Sequence, residues 1–112
     1  MNEDRKQVLK RLLNCEQPLH PILEKLQQFG FDWKDEPLLA ISSEHINRVL
    51  DRFLSGELTS NDVEQWAESL EVREDLNYEP RISEIIFCLA NPLINEPLTD
   101  DLAKRFKNKL SA

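Results

Sequence analysis

Residues His45–Glu79, HINRVLDRFLSGELTSNDVEQWAESLEVREDLNYE, decide the fold. The first part has apolar residues at the i, i+3, i+4, i+7 and i+8 spacing of one helical stripe: Ile46, Val49, Leu50, Phe53 and Leu54. Gly56 follows this stripe, at a position where the chain can leave a helix through a left-handed backbone. The spacing therefore predicts a helix that begins near His45 and stops at Gly56.

A second helix is predicted directly after Gly56. Thr59 or Ser60 can cap it by accepting a hydrogen bond from a free N–H group of its first turn. Its inward face carries four apolar residues: Val63, Trp66, Ala67 and Leu70. Trp66 lies in register with the other three, which favours a place in the core over a place at an interface.

The outer face of this second helix carries three carboxylates, Glu64, Glu68 and Glu71, at i, i+4 and i+7. Like charges at this spacing destabilise a helix by about 0.2–0.5 kcal/mol per pair. Between Glu57 and Glu84 the chain has nine acidic and two basic residues, an excess equal to the net charge of −7 of the whole chain. The acidity is therefore local. It indicates either a solubilising face or a surface for a basic partner.

The composition is that of a soluble, single-domain protein over residues 1–112. At 112 residues the chain is large enough to bury a core without disulfides or a metal, and its 40% hydrophobic and 31% charged residues are ordinary for a soluble globular protein. No secretory signal and no membrane-spanning run is recognised, so a cytoplasmic location is expected. Cys15 and Cys88 lie in apolar helical patterns and are predicted to be buried free thiols, with a single disulfide as the alternative.

The remaining chain also has helical periodicity. Helices are predicted for residues 3–14, 22–29, a segment opened by Pro80 and ended by Asn91-Pro92, and a segment capped by Thr99. The Pro80 segment is apolar nearly all round, which predicts a central helix buried by its neighbours. No convincing strand alternation is present, so no sheet is predicted. The expected fold is all-α, a compact irregular bundle of about six helices.

The sequence offers little catalytic chemistry. His20 and His45 are isolated and lie near helix boundaries, which favours surface or capping roles. The carboxylates lie on an exposed face with no sign of the one desolvated member that acid–base catalysis needs. The basic residues of the last helix, Lys104 to Lys109, lie towards its C-terminus, where the helix dipole favours cations. The acidic patch would repel the phosphate backbone of a nucleic acid. We therefore predict no enzyme, no metal, no cofactor and no direct nucleic-acid or membrane binding.

Two segments resemble a known family. They are Trp66-Ala67-x-x-x-Glu71-x-Arg73-x-Asp75-Leu76-x-x-Glu79 and Ile85-Ile86-Phe87-x-Leu89-Ala90-Asn91-Pro92, followed by Leu98-Thr99. The pattern resembles small helical immunity proteins of bacterial contact-dependent growth inhibition systems whose toxin is similar to a pancreatic-type (RNase A-like) ribonuclease. It covers about residues 45–110 and contains no catalytic signature. The resemblance implies a monomer that binds its cognate toxin domain one to one and blocks the nuclease site, with Trp66, Arg73 and Asn91 serving the fold.

The acidic patch and the resemblance lead to one hypothesis, because the active cleft of a ribonuclease must attract phosphate and is expected to be basic. The candidate toxin-binding residues are Glu64, Glu68, Glu71, Glu74, Asp75, Tyr78 and Glu79. Tyr78 and Trp33 lie outside the helical registers and are the aromatic anchors considered. The alternative is a small acidic helical adaptor or regulatory protein that binds a basic cellular protein, and a carboxylate hydrolase ranks below both.

Overall fold

The structure, a computed structural model, describes residues 5–28, 39–71 and 76–111. Within them the chain forms six helices: α1 (Arg5–Leu13), α2 (His20–Gln27), α3 (Ser43–Leu54), α4 (Ser60–Glu71), α5 (Pro80–Ala90) and α6 (Asp100–Ser111). Contacts join α1 to α2, α3 to α4 and α6, and α4 to α5. The prediction of a helical bundle with about six helices is confirmed.

A two-stranded sheet corrects the expectation that no sheet would form. Leu39–Ala40 (β1) and Leu76–Asn77 (β2) pair in parallel, with Leu39 opposite Leu76. Each strand is two residues long, too short for any alternation of apolar and polar residues to be recognised in the sequence. The pairing joins the segment before α3 to the segment between α4 and α5.

The helix boundaries follow the capping residues that the sequence offers. Ser42 caps α3, and its main-chain N–H donates in return to Nδ1 of His45 at 3.0 Å. Thr59 caps α4 in a reciprocal pair with Asp62, through hydrogen bonds of 3.1 and 2.9 Å. The Thr99 hydroxyl accepts from the N–H of Leu102 and caps α6. These bonds satisfy N–H groups that the first turn of a helix leaves free.

Left-handed residues end α1 and α3. Gly56, with φ of +87°, follows α3, and the N–H groups of Gly56 and Glu57 donate to the carbonyls of Phe53 and Arg52. Cys15, with φ of +52°, takes the same place after α1 without being a glycine. The Arg52 guanidinium donates to the carbonyl oxygens of Asn14 and Cys15 at 2.8 and 3.2 Å. Arg52 thereby satisfies carbonyls at the end of α1 from a neighbouring helix.

One apolar core contains the predicted stripes of α3 and α4. Trp66 is fully buried, and its indole N–H donates to the carbonyl of Leu12 at 2.6 Å. Ile46, Val49 and Leu50 are buried, whereas Phe53 and Leu54 pack at the edge of the core. Both cysteines are free thiols, Cys15 buried and Cys88 half-buried. The core position predicted for Trp66 is therefore confirmed.

The all-round burial predicted for α5 is wrong. Its inward stripe is buried as expected: Ile82, Ile85, Ile86, Leu89 and Ala90. Phe87, however, is 41% exposed, and Ser83 and Glu84 also face outward. The helix packs mainly on α4 through this stripe, and the Phe87 side chain lies at the surface.

Candidate protein-binding surface

The outer side of α4 carries the acidic row, which we define as Glu64, Glu68 and Glu71. The opposite side of the helix is anchored in the core through Val63, Trp66, Ala67 and Leu70. Because this anchoring fixes the rotation of α4, the acidic row must face outward. Glu68 and Glu71 are exposed and Glu64 is half-buried. The structure thus brings together three of the seven residues predicted for the site.

The carboxylates of the acidic row repel one another. The pKa of Glu68 is raised by slight burial, and then by the charge of Glu64 and a hydrogen bond with the Glu64 carboxyl group. The charge of Glu71 raises it further. In the described part of the chain, no basic side chain forms an ion pair with a member of the acidic row. The mutual repulsion is therefore not relieved by a described cation, and a cationic partner could relieve it.

Glu71 is tied to the end of α5. Its carboxylate oxygens accept from the side-chain amide of Asn91 at 3.3 and 3.5 Å, and the same amide donates to the carbonyl of Phe87 at 2.9 Å. This arrangement fixes the position of the Glu71 carboxylate through a neutral partner, which leaves its charge in place. Asn91 thus has the structural role that the resemblance implied.

Other acidic residues of the patch are compensated within the chain. Glu57 is paired with Arg52, Glu84 with Lys109 at 3.4 Å, and Glu79 with Arg81 at 3.9 Å. Glu79 is exposed and precedes α5, at the N-cap position. Fewer acidic residues are therefore left without an ion-pair partner than the sequence count indicated. Among the described residues, the uncompensated charge of the patch is concentrated on α4.

Tyr78 is held in the fold by its hydroxyl group. The hydroxyl donates to the carbonyl of Leu70 at 2.7 Å, and the half-buried ring packs against the core. This contact places Tyr78 beside the end of α4, close in sequence to Glu79. Its part in an interface stays a prediction. Glu74 and Asp75, together with Arg73 and Trp33, lie outside the described residues.

The histidines have local roles in the helices. His45 completes the cap of α3, which confirms the predicted capping role. Burial lowers the pKa of His45. The charge of Arg48 lowers it further, whereas the charge of Glu44 raises it. His20, at the start of α2, lies 2.8 Å from the carboxylate of Glu24. No group of three or more potential metal ligands occurs among residues 5–28, 39–71 and 76–111.

The cations of α6 are largely engaged by carboxylates. Arg105 binds Glu96 and Asp101 at 2.6 and 3.1 Å, and Lys107 pairs with Asp51 of α3. The pairs with Glu96 and Asp51 join α6 to the preceding connection and to α3, whereas the pair with Asp101 lies within α6. In the part of the chain that the structure describes, no helix combines the length and apolar character needed to cross a bilayer.

No protein-family model, curated protein or solved structure matches this chain. The functional proposal therefore rests on the chemistry of the chain's own surface and on the resemblance noted in its sequence.

The structure also shows surface residues that the sequence reasoning passed over. Leu93 is fully exposed and Ile94 is 71% exposed, in the connection between α5 and α6. The available signal was the short segment Pro92-Leu93-Ile94-Asn95-Glu96-Pro97, where two adjacent apolar residues lie between prolines that exclude a helix. Such a pair has no neighbouring stripe to join, so its exposure could have been anticipated.

Proposed function

We propose that this protein is an immunity protein that binds a basic ribonuclease toxin domain and blocks its active site. One observation carries the proposal, namely the acidic row on the outer side of α4, which no described cation compensates. The protein would act in the cytoplasm of the cell that makes the toxin, as a monomer in a one-to-one complex. The resemblance of residues 45–110 to contact-dependent growth inhibition immunity proteins supports the same proposal.

The physical basis is charge complementarity. A ribonuclease needs cations in its cleft to hold the RNA phosphates, so its active site is the most attractive surface it offers to a carboxylate row. Electrostatic steering of this kind accelerates association by about 10–10³-fold and weakens steeply with salt. The carboxylates of the acidic row repel one another in the free protein. When cations of the partner approach, this repulsion is relieved, which makes binding more favourable. Inhibition then follows because the bound protein covers the cleft.

A second candidate is an acidic helical adaptor or regulatory protein that binds a basic cellular protein outside any toxin system. The same acidic row would serve it, since a basic surface is all that the charge pattern specifies. Gene neighbourhood separates the two candidates. A toxin-like reading frame beside the gene favours immunity, and a neighbourhood without one favours the adaptor.

The test is a titration of the full chain into the toxin domain encoded beside it, with RNA cleavage measured at low and high salt. We expect inhibition at a one-to-one ratio and association that slows as salt increases. The double variant Glu64→Lys/Glu68→Lys should slow association at low salt by about 10-fold or more. The matched control, Glu16→Lys/Glu44→Lys, changes the net charge equally on exposed residues outside α4 and should have the smaller effect.

The outcomes separate the possibilities. Full ribonuclease activity at saturating protein would sink the immunity proposal and leave the adaptor as the candidate. Stoichiometric inhibition with both double variants equally slow would show that net charge matters but that the acidic row is not the contact surface.

A further inference from the structure

Three exposed apolar side chains lie near the acidic row. Leu93 is 100%, Ile94 71% and Phe87 41% exposed, and they are the large hydrophobic residues of the described chain that are exposed. Single exposed apolar residues are common on protein surfaces and need no explanation. These three are close together in the chain, so we call them the apolar knob and ask what holds them.

Hydrogen bonds fix the backbone that carries the apolar knob. The Asn91 side-chain amide donates to the carbonyl of Phe87 at 2.9 Å. The Asn91 carbonyl accepts from the main-chain N–H of Ile94 at 3.3 Å and from the side-chain amide of Asn95 at 2.9 Å. The turn that carries Leu93 and Ile94 is thus fixed to the last turn of α5. A backbone fixed in advance loses less conformational freedom when a partner covers the side chains that it carries.

Two carboxylates of the acidic row lie beside the connection that carries Leu93 and Ile94. Glu71 of the acidic row accepts from Asn91, the residue that organises the turn. Glu64, at the other end of the acidic row, lines a cavity of about 120 Å³ together with Pro92, Glu96 and Leu98 of the same connection. The connection between α5 and α6 therefore runs along α4. An apolar centre with a charged border is the usual anatomy of a protein interface.

The border selects the occupant. A symmetric dimer of this chain would bring the same carboxylates of two copies together, and an anionic membrane surface would likewise repel them. A basic protein satisfies both parts of the surface, since its cations can meet the carboxylates while an apolar depression receives Leu93 and Ile94.

We propose that Phe87, Leu93 and Ile94 form the apolar centre of the interface with the basic partner, and that the acidic row forms its charged border. This inference rests on the proposed function for the identity of the partner. It assigns the two surfaces different kinetic roles. The acidic row accelerates encounter, and the apolar knob slows dissociation because its burial is realised only in the docked complex.

The test compares the full chain with the variant Leu93→Ser/Ile94→Ser, using the toxin domain encoded beside it as the probe. Both side chains are exposed, so the variant should keep the thermal unfolding midpoint of the wild-type chain. We expect dissociation to be about 30-fold faster or more, nearly independent of salt, with little change in the association rate. The control Gln27→Ser/Asn108→Ser alters exposed polar residues and should leave both rates unchanged.

Two failures can be told apart. If the wild-type chain neither binds nor inhibits the toxin domain, the proposed function fails and takes the inference with it. If the wild-type chain inhibits but the Leu93→Ser/Ile94→Ser variant dissociates at the wild-type rate, only the apolar centre is refuted. Sedimentation of the chain alone supplies the remaining outcome. A dimer that the serine variant abolishes would show that a second copy covers the apolar knob, and would overturn the inference.

Discussion

At the scale of single residues, side chains on α4 have opposite effects on stability. Trp66 is buried with its N–H group satisfied, so it combines a large apolar contact with a specific hydrogen bond. Glu68, on the other side of the helix, sits among like charges that disfavour its ionised form. The helix therefore carries its stabilising and its destabilising residues on opposite sides.

Replacing Trp66 by phenylalanine should lower the free energy of unfolding by about 1–3 kcal/mol. The variant loses the donor to the Leu12 carbonyl and leaves space beside α1. Urea unfolding followed by circular dichroism measures the change, with the exposed Gln65→Ala as a control expected within about 0.5 kcal/mol of the wild type. A variant as stable as the wild type would show that the indole hydrogen bond contributes nothing net.

Glu68→Gln should stabilise the chain at neutral pH by about 0.2–0.5 kcal/mol for each like-charge pair it removes. Because the pKa of Glu68 is raised in the folded state, the free energy of unfolding decreases as pH rises through that pKa. The gain should therefore disappear well below the ordinary value of 4.5, where the carboxyl group is protonated in both states. Urea unfolding of the variant and the wild type, at neutral pH and at a pH well below 4.5, measures this difference in the free energy of unfolding.

The matched control for this substitution is Glu44→Gln in α3. Glu44 lies 3.0 Å from Arg48, so losing its charge should lower stability or leave it unchanged. If both glutamine variants shifted stability in the same direction, repulsion within the acidic row could not be the cause.

At the scale of secondary structure elements, the caps explain where helices begin and end. The start of α3 depends on a neutral His45, since Nδ1 must accept a hydrogen bond from the Ser42 N–H. The pKa of His45 is lowered in the fold, which means that the folded state favours this neutral form. Protonation would remove the acceptor and loosen the first turn.

Stability should therefore fall as pH decreases from about 7 to about 5, through and below the ordinary histidine value of 6.5. The His45→Gln variant keeps an acceptor at the third helical position, as glutamine does in other capping boxes, but it does not titrate. Its free energy of unfolding should change less over this range. Equal pH dependence in the variant and the wild type would assign the effect to other groups.

The elements also show what sequence reasoning can reach. Apolar periodicity and local caps predicted α3 and α4, the stop at Gly56 and the start at Pro80, because these depend on residues within a few positions of one another. The β1–β2 pair and the ion pair between Glu84 and Lys109 join residues far apart in the chain, so no local pattern announces them. The exposure of Phe87 was mispredicted for the same reason, since only the packing of α5 decides which apolar side is covered.

The candidate site was predicted in part. The helical spacing of Glu64, Glu68 and Glu71 is by itself enough to predict that they share one outer face. Which of the other carboxylates keep their charge uncompensated depends on partners such as Arg52 and Lys109, and that required the fold. The apolar knob depends on a turn organised by Asn91, whose hydrogen bonds have no signature in composition or periodicity.

At the scale of the whole molecule, the two thiols report on different kinds of motion. Cys15 is buried just after α1, where Arg52 of α3 donates to its carbonyl, and burial raises the pKa of its thiol to about 11. Cys88 is half-buried on α5, where partial burial and Glu84 raise the pKa of its thiol. Only the thiolate reacts with disulfide reagents, so burial and a pKa of about 11 protect Cys15, whereas partial exposure makes Cys88 accessible.

A disulfide reagent at neutral pH should therefore label Cys88 first, while Cys15 reacts only as fast as the protein opens. In urea both thiols should react together. The Cys88→Ser variant isolates the slow thiol and serves as the control. Rapid labelling of Cys15 in that variant under native conditions would show that the end of α1 opens separately from the core.

The hydrogen bond between Trp66 and Leu12 also bears on the order of synthesis. The two residues are 54 positions apart, and ribosomes add about 5–20 residues per second. Leu12 therefore leaves the ribosome about 3–11 s before Trp66, whose indole completes its surroundings. During that interval the apolar side of α1 lacks the largest side chain that will cover it. The apolar side of α1 is thus uncovered during synthesis before the acidic row, the surface proposed to bind a partner, has been translated.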